Sequence, residues 1–267
     1  MPMGKIIVFD TVIPRLERPK RIRVYLPGGP APETLRPVLF MHDGHNLFDP
    51  STSAYGASWN VHVALDRLAA TGVDVPVVVG IDCPSPKRFD EYSPWVNRHL
   101  GTFKPDLGLD VGGGEGDVYV DWIADRLLPD VASRFPVDPA RVSMAGSSMG
   151  GFISLYAACR RPETFRAIGA FSPAVWFAET DLLAALSASF PIATDVYLDI
   201  GTDETSDAGN PAFPQIYLEG ARAVAKLLRD RGVLRLLYVE EAGAPHHETA
   251  WERRFPRFAE WLVDHRR

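Results

Sequence analysis

Residues 141–161 read RVSMAGSSMGGFISLYAACRR, and the fold turns on how this stretch is parsed. Arg141 to Ala145 is a short apolar run suited to a buried strand. Gly151 to Arg161 places Phe152, Leu155, Tyr156 and Cys159 on one face of an amphipathic helix. Between them stands Gly146-Ser147-Ser148-Met149-Gly150, a G-x-S-x-G pattern centred on Ser148. Glycine and serine are common, so the bare pattern is weak and a glycine-rich turn before a helix also produces it. The strand before and the helix after supply what a nucleophile elbow requires: a sharp turn that lifts a serine hydroxyl above a sheet, at a helix N-terminus that favours developing negative charge.

Outward from this turn the pattern alternates. Ile6 to Asp10 and Arg21 to Leu26 read as opening antiparallel strands, followed by a Pro/Gly loop through Pro37. Val38 to His42, Val75 to Ile81, Val142 to Gly146, Ala167 to Phe171, Val196 to Ile200 and Leu234 to Val239 are apolar runs of the kind buried on both faces. Helical stripes lie between them: Tyr119, Trp122, Ile123 and Leu127; Ala221, Val224, Ala225 and Leu228; Trp251, Phe255, Phe258 and Leu262. Core packing explains these aromatics without a cofactor. The expectation is an α/β fold in a single domain over 1–267, a mostly parallel sheet flanked by helices, with ligands bound at the carboxyl ends of the strands. A long loop or cap-like insertion is expected at about 84–116.

Composition limits the function classes. The chain has 267 residues, 46% hydrophobic and 23% charged, which suits a globular domain. A formal net charge of -6 gives no general attraction to nucleic acid or anionic lipid. Ile6 to Phe9 is too short for a signal-peptide core, and no stretch approaches the roughly 18 apolar residues of a membrane span. A soluble cytoplasmic protein is therefore expected, acting on a small molecule, with no nucleic-acid or membrane partner and an open oligomeric state. Cys83 and Cys159 show neither metal-ligand nor redox spacing and read as buried inert thiols.

A serine hydroxyl needs a base and an orienting acid, which in this arrangement follow in the order Ser, acid, His after later strands. Val196 to Ile200 runs into Gly201-Thr202-Asp203-Glu204-Thr205, and Leu234 to Val239 into Gly243-Ala244-Pro245-His246-His247-Glu248. Each loop offers two adjacent candidates, Asp203 or Glu204 and His246 or His247. A lone acid or histidine is more often solvated surface, but the joint placement after successive strands argues for chemistry.

These residues resemble a known family. His42-Asp43-Gly44-His45-Asn46-Leu47-Phe48-Asp49, RFDEYSPW at 88–95, Gly114-Glu115-Gly116-Asp117, AGSSMGG at 145–151, Gly201 to Glu204 and HHETAW at 246–251 together resemble the putative-esterase family of enterochelin esterase-like hydrolases, esterase D, feruloyl esterases and mycolyltransferases. The resemblance implies an α/β-hydrolase fold and a serine esterase without cofactor or metal. It implies Ser148 as nucleophile, His246 as base because it stands five residues before Trp251, and Glu204 as acid because it follows Gly201-Thr202 after one residue. It also implies an oxyanion hole from the Met149 N–H and the turn at Gly44 and His45. Thioester hydrolysis and acyl transfer use the same machinery and stay open, as does a binding module without catalysis, which an apparently complete triad disfavours.

Two segments have competing readings. His42, Asp43, His45 and Asp49 are possible metal ligands by residue type, but a serine triad explains the chemistry without a metal. In the long Pro/Gly-rich stretch 84–116, Arg88 is a candidate for a substrate carboxylate, and Tyr92, Trp95 and Phe103 for pocket walls; a plain surface loop with Arg88 paired to Asp90 or Glu91 is the alternative. Trp176 either walls the pocket or packs beneath a loop.

Overall fold

The structure, a computed structural model, describes residues 3–28, 34–83, 87–103, 108–207 and 209–264. Of the expectations above, the parts of the loops at 29–33, 84–86 and 104–107, and the side chain of Phe103, lie outside the described residues. The strands are β1 (Lys5–Ile13), β2 (Arg18–Leu26), β3 (Arg36–His42), β4 (Val77–Ile81), β5 (Val137–Ser147), β6 (Phe165–Phe171), β7 (Asp195–Asp203) and β8 (Leu236–Pro245). The helices are α1 (Val61–Ala69), α2 (Arg88–Glu91), α3 (Leu100–Phe103), α4 (Gly116–Trp122), α5 (Leu128–Arg134), α6 (Met149–Arg160), α7 (Glu179–Ser189), α8 (Phe213–Asp230) and α9 (Glu248–Asp264). A π turn, Ile123–Leu127, runs from α4 into α5. The fold is that of the α/β hydrolases, a mostly parallel eight-stranded sheet flanked by helices.

The chain groups into two compact units, one of Met1–Cys83, Trp122–Met144 and His247–Arg267, the other of Pro84–Asp121 and Ala145–His246. In the first, the strand order is β1-β2-β4-β3-β5. β1 and β2 form an antiparallel hairpin from Lys5 opposite Leu26 to Ile13 opposite Arg18. Its turn, Pro14–Leu16, closes with Glu17 at φ 48° donating its N–H to the Pro14 carbonyl at 3.2 Å. β1 alternates in exposure, as an edge strand with one covered face does. β3 and β4 pair in parallel, and from Pro37 onward every residue of the pair is buried, which is why both read as unbroken apolar runs. α1 packs on α9, where the Trp59 ring lies 5.6 Å from Trp251 and 6.3 Å from Phe255.

In the second unit β6, β7 and β8 run parallel in that order. α6 covers β6, α8 covers β7, and α7 packs on both helices. The structure corrects the sequence reading of α6: nine of its twelve residues are buried, so it is a core helix closed on almost all sides rather than an amphipathic one. The described part of 84–116, expected as a long loop or cap-like insertion, has local structure. That segment carries α2, α3 and a bridge between Asn97 and Gly112. At Gly113 φ is +100° and a Cβ would sit 2.0 Å from the Trp95 carbonyl oxygen, so only glycine fits there. β5 through β8 end at residues 147, 171, 203 and 245, and the residues just beyond or at these ends form the site described below.

The two kinds of strand position predict different mutational costs. Phe40 in β3 has no exposed surface while Val8 in β1 is 50% exposed. Phe40→Ala is expected to lower the unfolding free energy by about 3–5 kcal/mol and Val8→Ala by about 0.5 kcal/mol or less, measured by urea denaturation.

Candidate active site

β5 stops at Ser147 and α6 starts at Met149, so Ser148 alone makes the turn, at φ 57° and ψ −122°. A side-chain-bearing residue held there costs of order 1–3 kcal/mol and persists only where the surroundings fix it. The fixing bonds are backbone ones. Ser148 donates its N–H to the Phe171 carbonyl at 2.9 Å, and its own carbonyl accepts the N–H of Phe152 and of Ala174, each at 3.0 Å. A Cβ on Gly151 would lie 3.1 Å from the Gly146 carbonyl oxygen and 3.2 Å from that of Phe171, so glycine lets α6 begin this close to the strand ends. The Ser148 residue is 9% exposed at the N-terminus of α6.

Beyond β7, Glu204 has no exposed surface. Its Oε1 accepts the Gly201 N–H at 2.8 Å and the hydroxyl of Ser172, and its Oε2 faces His246 Nδ1 at 2.6 Å. A carboxylate only accepts, so His246 carries a proton on Nδ1 and, when neutral, offers Nε2 as a bare lone pair. Gly201 permits this packing, because a Cβ there would meet the Ala244 carbonyl oxygen at 2.1 Å and Glu204 Oε1 at 2.9 Å. Ser172, fully buried at φ 43°, donates its N–H to the Asp199 carbonyl at 2.9 Å. Of the neighbouring candidates, Asp203 is exposed and bonded by Thr202 at 3.4 Å, and His247 Nδ1 is engaged with Thr249.

Two groups here escaped the sequence reading. Ser172 is one. The other is Tyr217 of α8, whose hydroxyl lies 3.4 Å from His246 Nε2 and 2.5 Å from Ser206 Oγ, with its ring centroid 4.8 Å from the imidazole. The same hydroxyl approaches Ser148 and the Trp176 indole N–H, the latter short of full hydrogen-bond geometry. Ser148 and His246 thus both lie against one phenol. Burial pushes that phenol up to about 12.

The remaining candidates are placed as follows. Arg88 of α2 points one guanidinium nitrogen at the Ser147 carbonyl, 3.3 Å away, and lies 5.2 Å over the Tyr92 ring. Asp90 is bonded by Lys87 at 2.9 Å and by the Gly113 N–H at 3.0 Å. Tyr92 is fully buried against Tyr119, which makes it a packing residue. Trp95, half-buried, meets Phe152 and Tyr156 of α6 edge-on. Trp176 is 9% exposed and packs on Phe213 and Tyr217. Segment 84–116 is tied down by Asn97, which donates to the Phe177 carbonyl at 2.7 Å, and by Phe89 stacked on Phe177. In the first unit, Gly44 and His45 begin the 3₁₀ turn after β3, where a Cβ on Gly44 would come within 2.7 Å of the Gly80 carbonyl carbon. Among the described residues no three His, Cys, Asp or Glu side chains converge as metal ligands. Burial pushes the Cys159 thiol up to about 11, consistent with an unreactive cysteine.

Comparison with known proteins adds an independent line. The family described as Putative esterase matches residues 13–262. The uncharacterized protein YbbA of Bacillus subtilis is 26% identical over 248 residues, covering 91% of this chain and 92% of that protein. The siderophore triacetylfusarinine C esterase of Aspergillus fumigatus is 32% identical over 143 residues, 53% of this chain and 45% of the esterase, so the match spans about half of each. The crystal structure of the BES protein from Bacillus cereus superposes with a TM-score of 0.76 at 19% identity, covering 98% of this chain and 96% of that one, a likeness of fold.

The Nδ1 proton shared between His246 and Glu204 is expected to give a low-field proton NMR resonance. Glu204→Gln should abolish or move it far upfield, while Asp203→Asn should leave it in place.

Proposed function

Since the chain belongs to the Putative esterase family and is a carboxylic ester hydrolase, we propose that it works through an acyl-enzyme on Ser148, with His246 as base and Glu204 as orienting acid. His246 Nε2 takes the Ser148 proton as Oγ attacks the ester carbonyl. The oxyanion that forms is held by the Met149 N–H, at the start of α6. Glu204 stabilises the imidazolium, and His246 returns the proton to the leaving alkoxide. Water then repeats the cycle on the acyl-enzyme. The observation that carries this reading is the 2.6 Å contact of His246 Nδ1 with the buried Glu204 carboxylate, which sets the tautomer in which Nε2 can act as a base.

The substrate in this reading is a small ester of siderophore-like or aromatic type. The name of the Aspergillus relative supports it. Arg88, a cation within reach of the Ser147 carbonyl, suits an anionic group on the acyl or alcohol part, and Trp95 suits an aromatic one.

A panel of p-nitrophenyl esters graded by chain length, extended to feruloyl and thioester substrates, tests the proposal, with Ser148→Ala as control. Glu204→Gln is expected to lose about 10⁴-fold in kcat and His246→Ala most of its activity. Asp203→Asn and His247→Ala should retain most of theirs, and the reverse ranking within either pair would contradict the assignment. Arg88→Ala and Trp95→Ala should reorder the esters while sparing the smallest one. An equal loss on every ester would make segment 84–116 structural only.

A further inference from the structure

We propose that Tyr217 is a further catalytic residue, its hydroxyl bonding the alkoxy oxygen of the scissile ester as that oxygen departs and then the water that replaces it. The inference rests on the acyl-enzyme reading above. His246 Nδ1 is committed to Glu204, so neutral His246 can only accept at Nε2. The Tyr217 hydroxyl, 3.4 Å from Nε2, is therefore the donor in that contact. Tyr217 thus presents its own proton toward Nε2. Ser206 Oγ, at 2.5 Å, is its other close partner.

The position follows from the chemistry. During acylation the alkoxy oxygen is attached to the carbon that Ser148 Oγ attacks, and it must reach the proton on His246 Nε2. It therefore sits beside both atoms, which is where the Tyr217 hydroxyl already lies. Once Nε2 has taken the Ser148 proton it is a donor and no longer accepts from Tyr217. The phenol proton is then free to turn to the departing oxygen, which gains negative charge as its bond to carbon breaks, and a hydrogen bond to a charged oxygen is about twice as strong as a neutral one.

The protons balance without Tyr217 ionising. One proton moves from Ser148 Oγ to His246 Nε2 and on to the alkoxy oxygen, the C–O bond to the alcohol breaks, and the phenol keeps its own proton throughout. Burial, which raises the Tyr217 phenol to about 12, keeps that proton in place across the neutral range. The backbone donors at Met149 serve a different oxygen, the former carbonyl. Tyr217 acts on the alcohol side, so its contribution must scale with the basicity of the leaving group. Alkyl esters, which expel strongly basic alkoxides, are the class that depends on it.

The test is the leaving-group dependence of kcat/KM for Tyr217→Phe across acetate esters running from p-nitrophenyl through phenyl to simple alkyl alcohols. The substitution keeps the ring packed against Trp176, Phe213 and His246, and thermal melting checks that the fold persists. The expected result is a loss of ~10-fold or more on alkyl esters but under about 3-fold on the p-nitrophenyl ester, whose leaving group needs little help. A uniform loss across the series, or none, would overturn the inference while leaving the acyl-enzyme reading intact. Failure of the native protein to turn over any of these esters would overturn both.

Discussion

An ionised carboxylate with no exposed surface loses several kcal/mol of solvation, and the donors that meet Glu204, among them the Gly201 N–H, the Ser172 hydroxyl and His246 Nδ1, offset that loss. Much of the second unit is shaped to deliver them. Gly201 must lack a side chain for Ala244 to approach. Ser172 must adopt a left-handed backbone conformation, anchored to Asp199, to turn its hydroxyl inward. Here the register between β7 and β8 shifts between Gly201 and Asp203, where Asp203 pairs with Pro245, the residue before His246. Breaking one of these contacts leaves a buried charge short of a partner, which is far more costly than losing a surface ion pair.

The same logic applies to the elbow. Ser148 pays locally for its backbone conformation, and three backbone hydrogen bonds, with Phe171 at the end of β6, Phe152 in the first turn of α6 and Ala174 beyond β6, offset that cost. Parallel strands make both arrangements possible, because they bring successive carboxyl ends to one edge. Residues far apart in sequence, 148, 172, 204 and 246, thereby come to surround a shared centre on which Tyr217 closes from α8.

Most of this fold was legible in the sequence for a single physical reason: strands buried on both faces are dominated by apolar residues, as in residues 38–41 of β3, all of β4, residues 167–171 of β6 and residues 196–200 of β7, the last broken only by the buried Asp199. Edge strands and strand extensions were less visible, since the start of β5 contains Asp138 and Pro139 and the end of β8 contains Glu240 to Pro245. α1 and α7 went unread because their buried faces are narrow, two residues each. α6 misled in the other direction, its single apolar stripe being part of a helix buried nearly all round. In the site, the strand-to-helix context pointed to Ser148, and strand order pointed to the two loops, but adjacent residues such as Asp203 and Glu204 differ only in direction, which spacing does not encode. Tyr217 was hidden in plain periodicity. It extends the stripe of Ala221, Val224, Ala225 and Leu228 back by one turn, with Phe213 a turn before it, and such a tyrosine looks like core until its hydroxyl is located. Ser172 carried no pattern at all, its value lying in a backbone angle.

The central claim is that the hydrolysis passes through a covalent bond to Ser148, which stands next to a second serine in the same turn. Labelling the folded protein with a fluorophosphonate and mapping the modified peptide tests this most directly. The account predicts a single adduct on Ser148 that His246→Ala strongly slows. Label on Ser147, or no label on folded protein, would contradict it.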